Sequence, residues 1–357
     1  MNSVGYWASQ EQYSMQDLFK FVIEAEKGGF TATMTSDHFH PWWNDGGFGN
    51  FTWVWLAAAA ERTKNMRFIT GVTSPVYRYN PAIIAQAFAS LDVLYPNRIS
   101  LGVGTGEAMN EVSVGFEWPS AEIRLNKTIE AIEIINNLWN KDQPPQVDKK
   151  TNFVSGNKHI DTDGFLTYNG QYFKTKSAKL YTPPSHSIPL YMAASGPEAI
   201  AAAATFTDGL ITISKPSDSK EMFDKFDQAA KTVGKDPTKL EKIGKPKISY
   251  SEDYEEAFKS ANFWRAGEIE NVFDTIINDP RKLQEKALEE VSDEKLKEST
   301  LIVTSVEDLI KPLEEYFKSG FTKIYLHSTS PNELDFVQQF CKKVLPHLNE
   351  EEEKNKY

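Results

Sequence analysis

Short apolar runs alternate along the chain with longer stretches in which apolar residues recur every three or four positions. The runs "SVGYWAS" (3–9), "TATMTSD" (31–37), "MRFITGVT" (66–73), "RISLGVGTG" (98–106), "IPLYMAAS" (188–195), "GLITIS" (209–214), "KPKISYS" (245–251) and "KIYLHST" (323–329) have the length of buried strands. Helices are predicted at 14–28, 52–63, 80–94, 120–139, 197–206, 218–233 and 254–262, with 305–318 before the last strand and 332–348 after it. In "SMQDLFKFVIEAEKGG", Ser14 offers the N-cap and Gly28-Gly29 the stop. A helical crossover after each strand demands parallel pairing. A count of about eight strands predicts one α/β (β/α)8 TIM barrel, with an open doubly wound sheet as the alternative.

Two stretches interrupt the alternation, one after the fourth strand and one after the seventh. Residues 140–187 are rich in polar, Pro and Gly residues, with a hairpin expected at "FLTYNGQYF", where Asn169-Gly170 supplies the turn. Residues 263–300 are aromatic at first and then helical and highly charged, and the tail 349–357 is a charge run expected to fray. The whole chain, 1–357, is expected to form a single barrel domain carrying these insertions.

Composition narrows the function classes. A hydrophobic content of 40% supplies a core, and a net charge of −11 argues against a nucleic-acid surface. A single cysteine, Cys341, excludes an internal disulfide and a cysteine-based zinc cluster. The start lacks a basic region followed by an apolar core, and no long apolar run follows, so a soluble cytoplasmic protein with no membrane partner is expected.

In a parallel barrel the chemistry gathers where strands end and βα loops begin. Those ends carry Ser9 to Glu11, Asp37 to Trp43, Gly71 to Ser74, Gly104 to Asn110, Ala193 to Gly196, Ile213 to Lys215, and His327. His38-x-His40 has the spacing of a metal pair, but His159, His186, His327 and His347 supply too few further ligands, so no metal site is expected. His38 is then either a chemical residue or a hydrogen-bonded loop residue. In "LGVGTGEAMNE" (101–111) the glycines recur with period two, which breaks the dinucleotide fingerprint and instead permits close approach of a flat ligand or another backbone. Glu107 stands at the rim, as a functional carboxylate or as a helix N-terminal one. Ser195 and Gly196 open a helix with Pro197 in its first turn, suited to anion binding or to simple helix initiation. Arg78 is an anion ligand or a rim charge.

At these residues the chain resembles the luciferase-like family of barrel oxidoreductases, in the branch that uses coenzyme F420. The segments "SDHFHPW", "RYNPAIIAQAFASLDVLYPNRISLGVGTGEAMNE" and "AASGP" carry the resemblance, which spans nearly the whole chain. "GEAMNEV" and "EWPS" together with "EQY" are similar to F420-dependent secondary alcohol dehydrogenases, and the remainder also to F420-dependent glucose-6-phosphate dehydrogenases. The resemblance implies an enzyme moving a hydride between the deazaflavin and an alcohol, sugar or related carbonyl, with His38 as base and Glu107, Trp42 and Glu11 around the reacting carbon. It implies cofactor contacts from Asp37, Ser74, Thr105, Gly106, Asn110, Ser195 and Gly196, and a non-prolyl cis peptide at Gly71-Val72. Lys215, Ile213 and Trp43 are the implied substrate neighbours, and a homodimer the implied assembly.

The likeness fails at the phosphate ligands of the sugar-phosphate enzymes. Their Thr position falls at Ile213, Lys215 lies about one place from the matching Lys, and the late Lys and Arg positions fall near Asp274 and Thr300. Glucose 6-phosphate is therefore disfavoured, with Lys215, Arg265 or Arg281 left to form a different anion site. A sugar-6-phosphate dehydrogenase, an FMN-dependent monooxygenase and a non-catalytic binding protein stand as successive alternatives.

Overall fold

The computed structural model describes residues 3–141, 153 and 155–348. Strands β1 (Ser3–Ala8), β2 (Ala32–Thr35), β3 (Arg67–Thr70), β4 (Ile99–Val103), β5 (Leu190–Ala193), β6 (Gly209–Thr212), β7 (Glu241–Gly244) and β8 (Lys323–Ser328) are neighbours in that order. β8 also pairs in parallel with β1, from Ser3 against Lys323 to Tyr6 against Leu326, so the sheet closes. The expected barrel forms, and an open doubly wound sheet is excluded.

Closure leaves the strands with two buried faces, which is why their sequences read as apolar runs. Alternate residues go to different cores. Tyr6 and Ala8 face the outer layer of helices, while Trp7 joins Met34, Ile69, Tyr191, Ile211, Ile243 and Tyr325 inside the barrel. The helices fall where periodicity places them; Met15–Lys27 opens with Ser14 accepting from the Asp17 backbone N–H and buries Leu18, Phe21, Val22 and Ala25. The three larger of these side chains, Leu18, Phe21 and Val22, contribute roughly 1.5–3 kcal/mol each.

The seventh strand departs from the expectation of 245–251. It begins at Glu241, breaks at Lys245-Pro246, and resumes at Lys247–Tyr250 beside the end of β8 and the short strand Leu301–Val303. Pro246 has no N–H to give a ladder, and its carbonyl accepts from His327 N at 3.0 Å. The first half, "EKIG", escaped the apolar pattern because two of its residues are charged.

Beyond the helix Ala121–Leu138, the described part of the first insertion forms an antiparallel sheet of Asn157–Ile160, Leu166–Asn169 and Lys174–Ala178. Its hairpin turn is wider than the two-residue Asn169-Gly170 turn expected. Asn169 pairs with Lys174, and Gly170 N donates to Phe173 O at 3.0 Å. The loop opens around the buried Glu130 carboxylate, which accepts backbone N–H groups from Gln171 (2.7 Å), Tyr172 (2.9 Å) and Phe173 (2.9 Å). The charged tail expected at 349–357 lies outside the described residues. Glu130→Ala leaves three donors without their acceptor and should cost about 2–4 kcal/mol. Hydrogen exchange should show the Gln171–Phe173 amides losing protection before the barrel strands.

Candidate active site

β2 runs directly into Ser36-Asp37-His38, and the loop after β3 is built to hold that turn. Asp37, 3% exposed, accepts from Thr73 Oγ1 at 2.7 Å and from the Tyr79 hydroxyl at 3.2 Å. Arg78 Nη2 donates to the Asp37 carbonyl at 2.9 Å and to its Oδ1 at 3.3 Å. The Arg78 backbone N–H donates to Glu111 Oε2 at 2.8 Å, which brings in the loop after β4. Arg78 thus braces Asp37 and is no loose rim charge.

β3 reaches this arrangement through a bulge. Ile69 pairs with Ser100 and Thr73 with Val103, so β3 advances four residues while β4 advances three. The extra residue falls at Gly71-Val72, joined by the cis peptide that the resemblance implied. Val72 packs onto the inner core of the barrel. The period-two glycines answer to neighbouring chain: a Cβ on Gly102 would stand 2.0 Å from the Thr70 carbonyl oxygen. Gly106 adopts φ +81° and lies against the Ser74 hydroxyl, so these two expected cofactor positions touch.

His38 is the centre of the site. Its side chain is 9% exposed, and Nε2 lies 3.4 Å from Glu11 Oε1 and 3.2 Å from Glu107 Oε2. Asn110 holds this geometry: its Oδ1 accepts from Phe39 N at 2.8 Å, while its Nδ2 donates to Glu107 Oε2 at 2.9 Å and lies 3.3 Å from His38 Nδ1. Glu11, 1% exposed, accepts from the Ser36 hydroxyl. Burial pushes its carboxyl up to about 7, and burial likewise raises Glu107 and lowers His38. Burial thus disfavours the charged form of the imidazole as it does those of the two carboxyl groups beside it.

The second insertion roofs this cluster. Trp42 packs with Met109, Trp264, Val272 and Leu283, and its ring centre lies 5.7 Å from that of His38. Trp43 packs on the edge of the same cluster. His40 lies 3.0 Å from both the Asn278 carbonyl and the Ser113 hydroxyl, so it is the structural member of the His38-x-His40 pair.

The other candidates stand apart from His38. Thr105 is half-buried in the loop after β4, and Gly196 caps the helix Pro197–Phe206 with Ser195 exposed before it. Ile213 and Lys215 occupy the exposed connection from β6 to the helix Pro216–Thr232. Two of the proposed anion ligands are engaged elsewhere. Arg265 is buried against Asp293 and the Val291 carbonyl, and Arg281 pairs with Asp279. Asp274 pairs with Arg124.

Sequence reasoning missed Lys245 and Trp264, which gather with Trp7 and His327. Lys245 lies over the Trp7 ring at 4.1 Å, and Trp264 Nε1 donates to Gln12 Oε1 at 2.8 Å. The alternation Ile243, Lys245, Lys247 along an inward face was the available signal, and the misplaced start of β7 hid it.

A family profile described as luciferase-like monooxygenase matches residues 1–323. An F420-dependent glucose-6-phosphate dehydrogenase of Mycolicibacterium gilvum (strain PYR-GCK) is 31% identical over 350 residues, covering 97% of each chain. One of Microbacterium testaceum (strain StLB037) is 32% identical over 347 residues, covering 96% of each. The solved structure of an F420-dependent secondary alcohol dehydrogenase in complex with an F420-acetone adduct is 35% identical with a TM-score of 0.87, covering 96% of this chain and 98% of that one.

Burial raises Glu11 above its usual 4.5, so the folded chain holds that proton more tightly than the unfolded chain does. The stability this gives is full below about pH 4.5 and is lost as pH climbs through about 7. Glu11→Gln removes the dependence. Melting curves at about pH 5 and about pH 8 should show the variant gaining on the parent by up to about 3 kcal/mol at the higher pH. An offset that does not change with pH would contradict the raised carboxyl.

Proposed function

The chain belongs to the luciferase-like monooxygenase family, and from that premise we propose that it is a coenzyme F420-dependent oxidoreductase moving a hydride between the deazaflavin and an alcohol, sugar or related carbonyl compound. One observation carries the proposal: a buried imidazole whose Nε2 lies within 3.4 Å of two carboxyl groups, at the strand ends beyond an apolar barrel floor. The names of the relatives at 31% and 35% identity support the choice of cofactor and of CH–OH chemistry.

The residues present suit a flat conjugated ring with polar edges. Trp7, Ile69, Val72, Tyr191 and Ile211 make an apolar floor, and polar groups gather on its rim. Asp37, Gly71, Val72, Ser74, Thr105, Gly106, Asn110, Ser195 and Gly196 would hold the cofactor. Its deazaflavin supplies the two-electron acceptor when bound. Asp37 acts through its position as well, because the donors on its carboxylate fix the loop that presents His38.

In alcohol oxidation, His38 and an ionised carboxylate act together as the base. The abstracted proton is held between His38 Nε2 and Glu107 Oε2, which lie 3.2 Å apart. Glu11, whose Oε1 lies 3.4 Å from the same nitrogen, takes up or returns a proton near neutral pH. In carbonyl reduction the proton runs back along the same atoms. Trp42 covers the imidazole and keeps bulk water from the reacting carbon. Ile213, Lys215 and Trp43 are assigned to the outer wall of the substrate path.

The proposal includes a cytoplasmic homodimer. Val54, Ile83, Val93 and Leu94, on the helices that follow β2 and β3, remain exposed and offer an apolar face to a second copy. Light scattering should return twice the monomer mass; a monomer at micromolar concentration would remove this part.

Purified protein titrated with coenzyme F420 should bind it and bleach its absorbance with secondary alcohols or sugars. His38→Ala should keep cofactor affinity and lose about 10²–10⁴-fold in kcat. Absence of binding would remove the cofactor, and full turnover by the variant would remove the base.

A further inference from the structure

The mouth also carries a cation that has no ion-pair partner in contact among the described residues. On the inner face of β7, Ile243 is followed by Lys245 and, past Pro246, by Lys247. Lys247 pairs in register with His327, which follows Tyr325 on the inner face of β8. Lys247 forms an ion pair with Glu268. Lys245 makes no hydrogen bond or ion pair among the described residues. Its ammonium lies 4.1 Å from the centre of the Trp7 ring and 5.9 Å from that of Trp264.

His327 is equally unmatched. It is 1% exposed, its ring centre lies 4.2 Å from that of Trp264 and 5.2 Å from that of Trp7, and neither ring nitrogen has a hydrogen-bond partner. A buried polar group without a partner loses its hydration and gains no bond in return. A tryptophan ring returns part of that loss to an ammonium above it and nothing to the orphaned imidazole nitrogens. Glu11 and Glu107 act on Lys245 through space, yet neither forms an ion pair with it. Ammonium and carboxyl groups therefore face each other across a gap. Other cations of the rim are taken: Arg78 by Asp37 and Arg265 by Asp293.

We propose that Lys245 and His327 form an anion subsite that takes the carboxylate or phosphate of the substrate while its carbinol carbon lies at His38. This rests on the dehydrogenase proposed above and adds the substrate class, an anionic hydroxy compound. A neutral alcohol leaves Lys245 and both His327 nitrogens unpaired, whereas an anionic oxygen group gives the ammonium a counterion and the imidazole N–H an acceptor. The nearby carboxyl groups do not forbid an anion, because burial raises both Glu11 and Glu107 and makes their neutral forms accessible.

The test uses full-length protein without cofactor and reads tryptophan fluorescence, since Trp7 and Trp264 flank the subsite. Two matched pairs are titrated: 3-hydroxybutyrate against 2-butanol, and glucose 6-phosphate against glucose. The anionic member of at least one pair should bind about tenfold or more tightly than its neutral partner, and the pair that shows the preference identifies carboxylate or phosphate. Lys245→Met should abolish the preference and Lys245→Arg should retain it, so a misfolded variant is not mistaken for a result. With cofactor added, the ratio of kcat/KM for the anionic over the neutral partner should fall at least about tenfold in Lys245→Met. Equal binding of both members in both pairs would overturn the subsite, as would equal weakening of both by Lys245→Met. Failure to bind F420 would overturn the cofactor assignment and leave the fluorescence result standing.

Discussion

The carboxylate of Asp37 accepts hydrogen bonds from Thr73, Arg78 and Tyr79, all in the loop after the neighbouring strand. Almost no solvent reaches it, so these donors are the ones it has. The same arginine uses its backbone N–H to engage Glu111, one loop further round. Three successive βα loops are thereby tied, and His38 follows Asp37 directly in the chain. The imidazole inherits its position from a polar network built on the residue before it. Asn110 completes the network from the other side by fixing Phe39 and Glu107 with one amide.

Given that framework, desolvation sets the chemistry of the mouth. Low-dielectric surroundings disfavour every charged form, so the carboxyl groups rise, while the imidazole and Lys245 fall, the lysine to about 8. The gap between the Glu11 carboxyl, at about 7, and the Lys245 ammonium, at about 8, is thereby nearly closed. Protons then pass among them with little cost in either direction, which suits a reversible alcohol–carbonyl interconversion. The apolar floor and the Trp42 roof are what make this convergence possible, because each removes water from one side.

The barrel and the His38, Glu11, Glu107 and Asn110 constellation were legible in the sequence because both depend on local order: strand-length apolar runs, and polar residues immediately after them. Arg78 was ambiguous because its partner, Asp37, lies 41 positions away and nothing local marks a hydrogen bond of that span. Lys245 was hidden by a boundary error. With β7 started at 245, the two lysines read as the polar beginning of a strand; with β7 started at Glu241 they become its inward-facing end. One shifted boundary moves a residue from the far rim of a barrel to its working rim.

The roof shows why such a scaffold accommodates different substrates without disturbing its acid–base core. Trp42 belongs to the loop that carries His38, but its packing partners Trp264, Val272 and Leu283 come from the late insertion. Asn44 and Asp45 lend their backbone N–H groups to Gln284 of that insertion at 2.9 and 3.1 Å. The insertion therefore adds a wall to a site whose geometry is already fixed by Asp37 and Asn110. Changes in that wall alter which groups meet Lys245 and His327, while the distances around His38 Nε2 are set by residues from the first four strands and their loops.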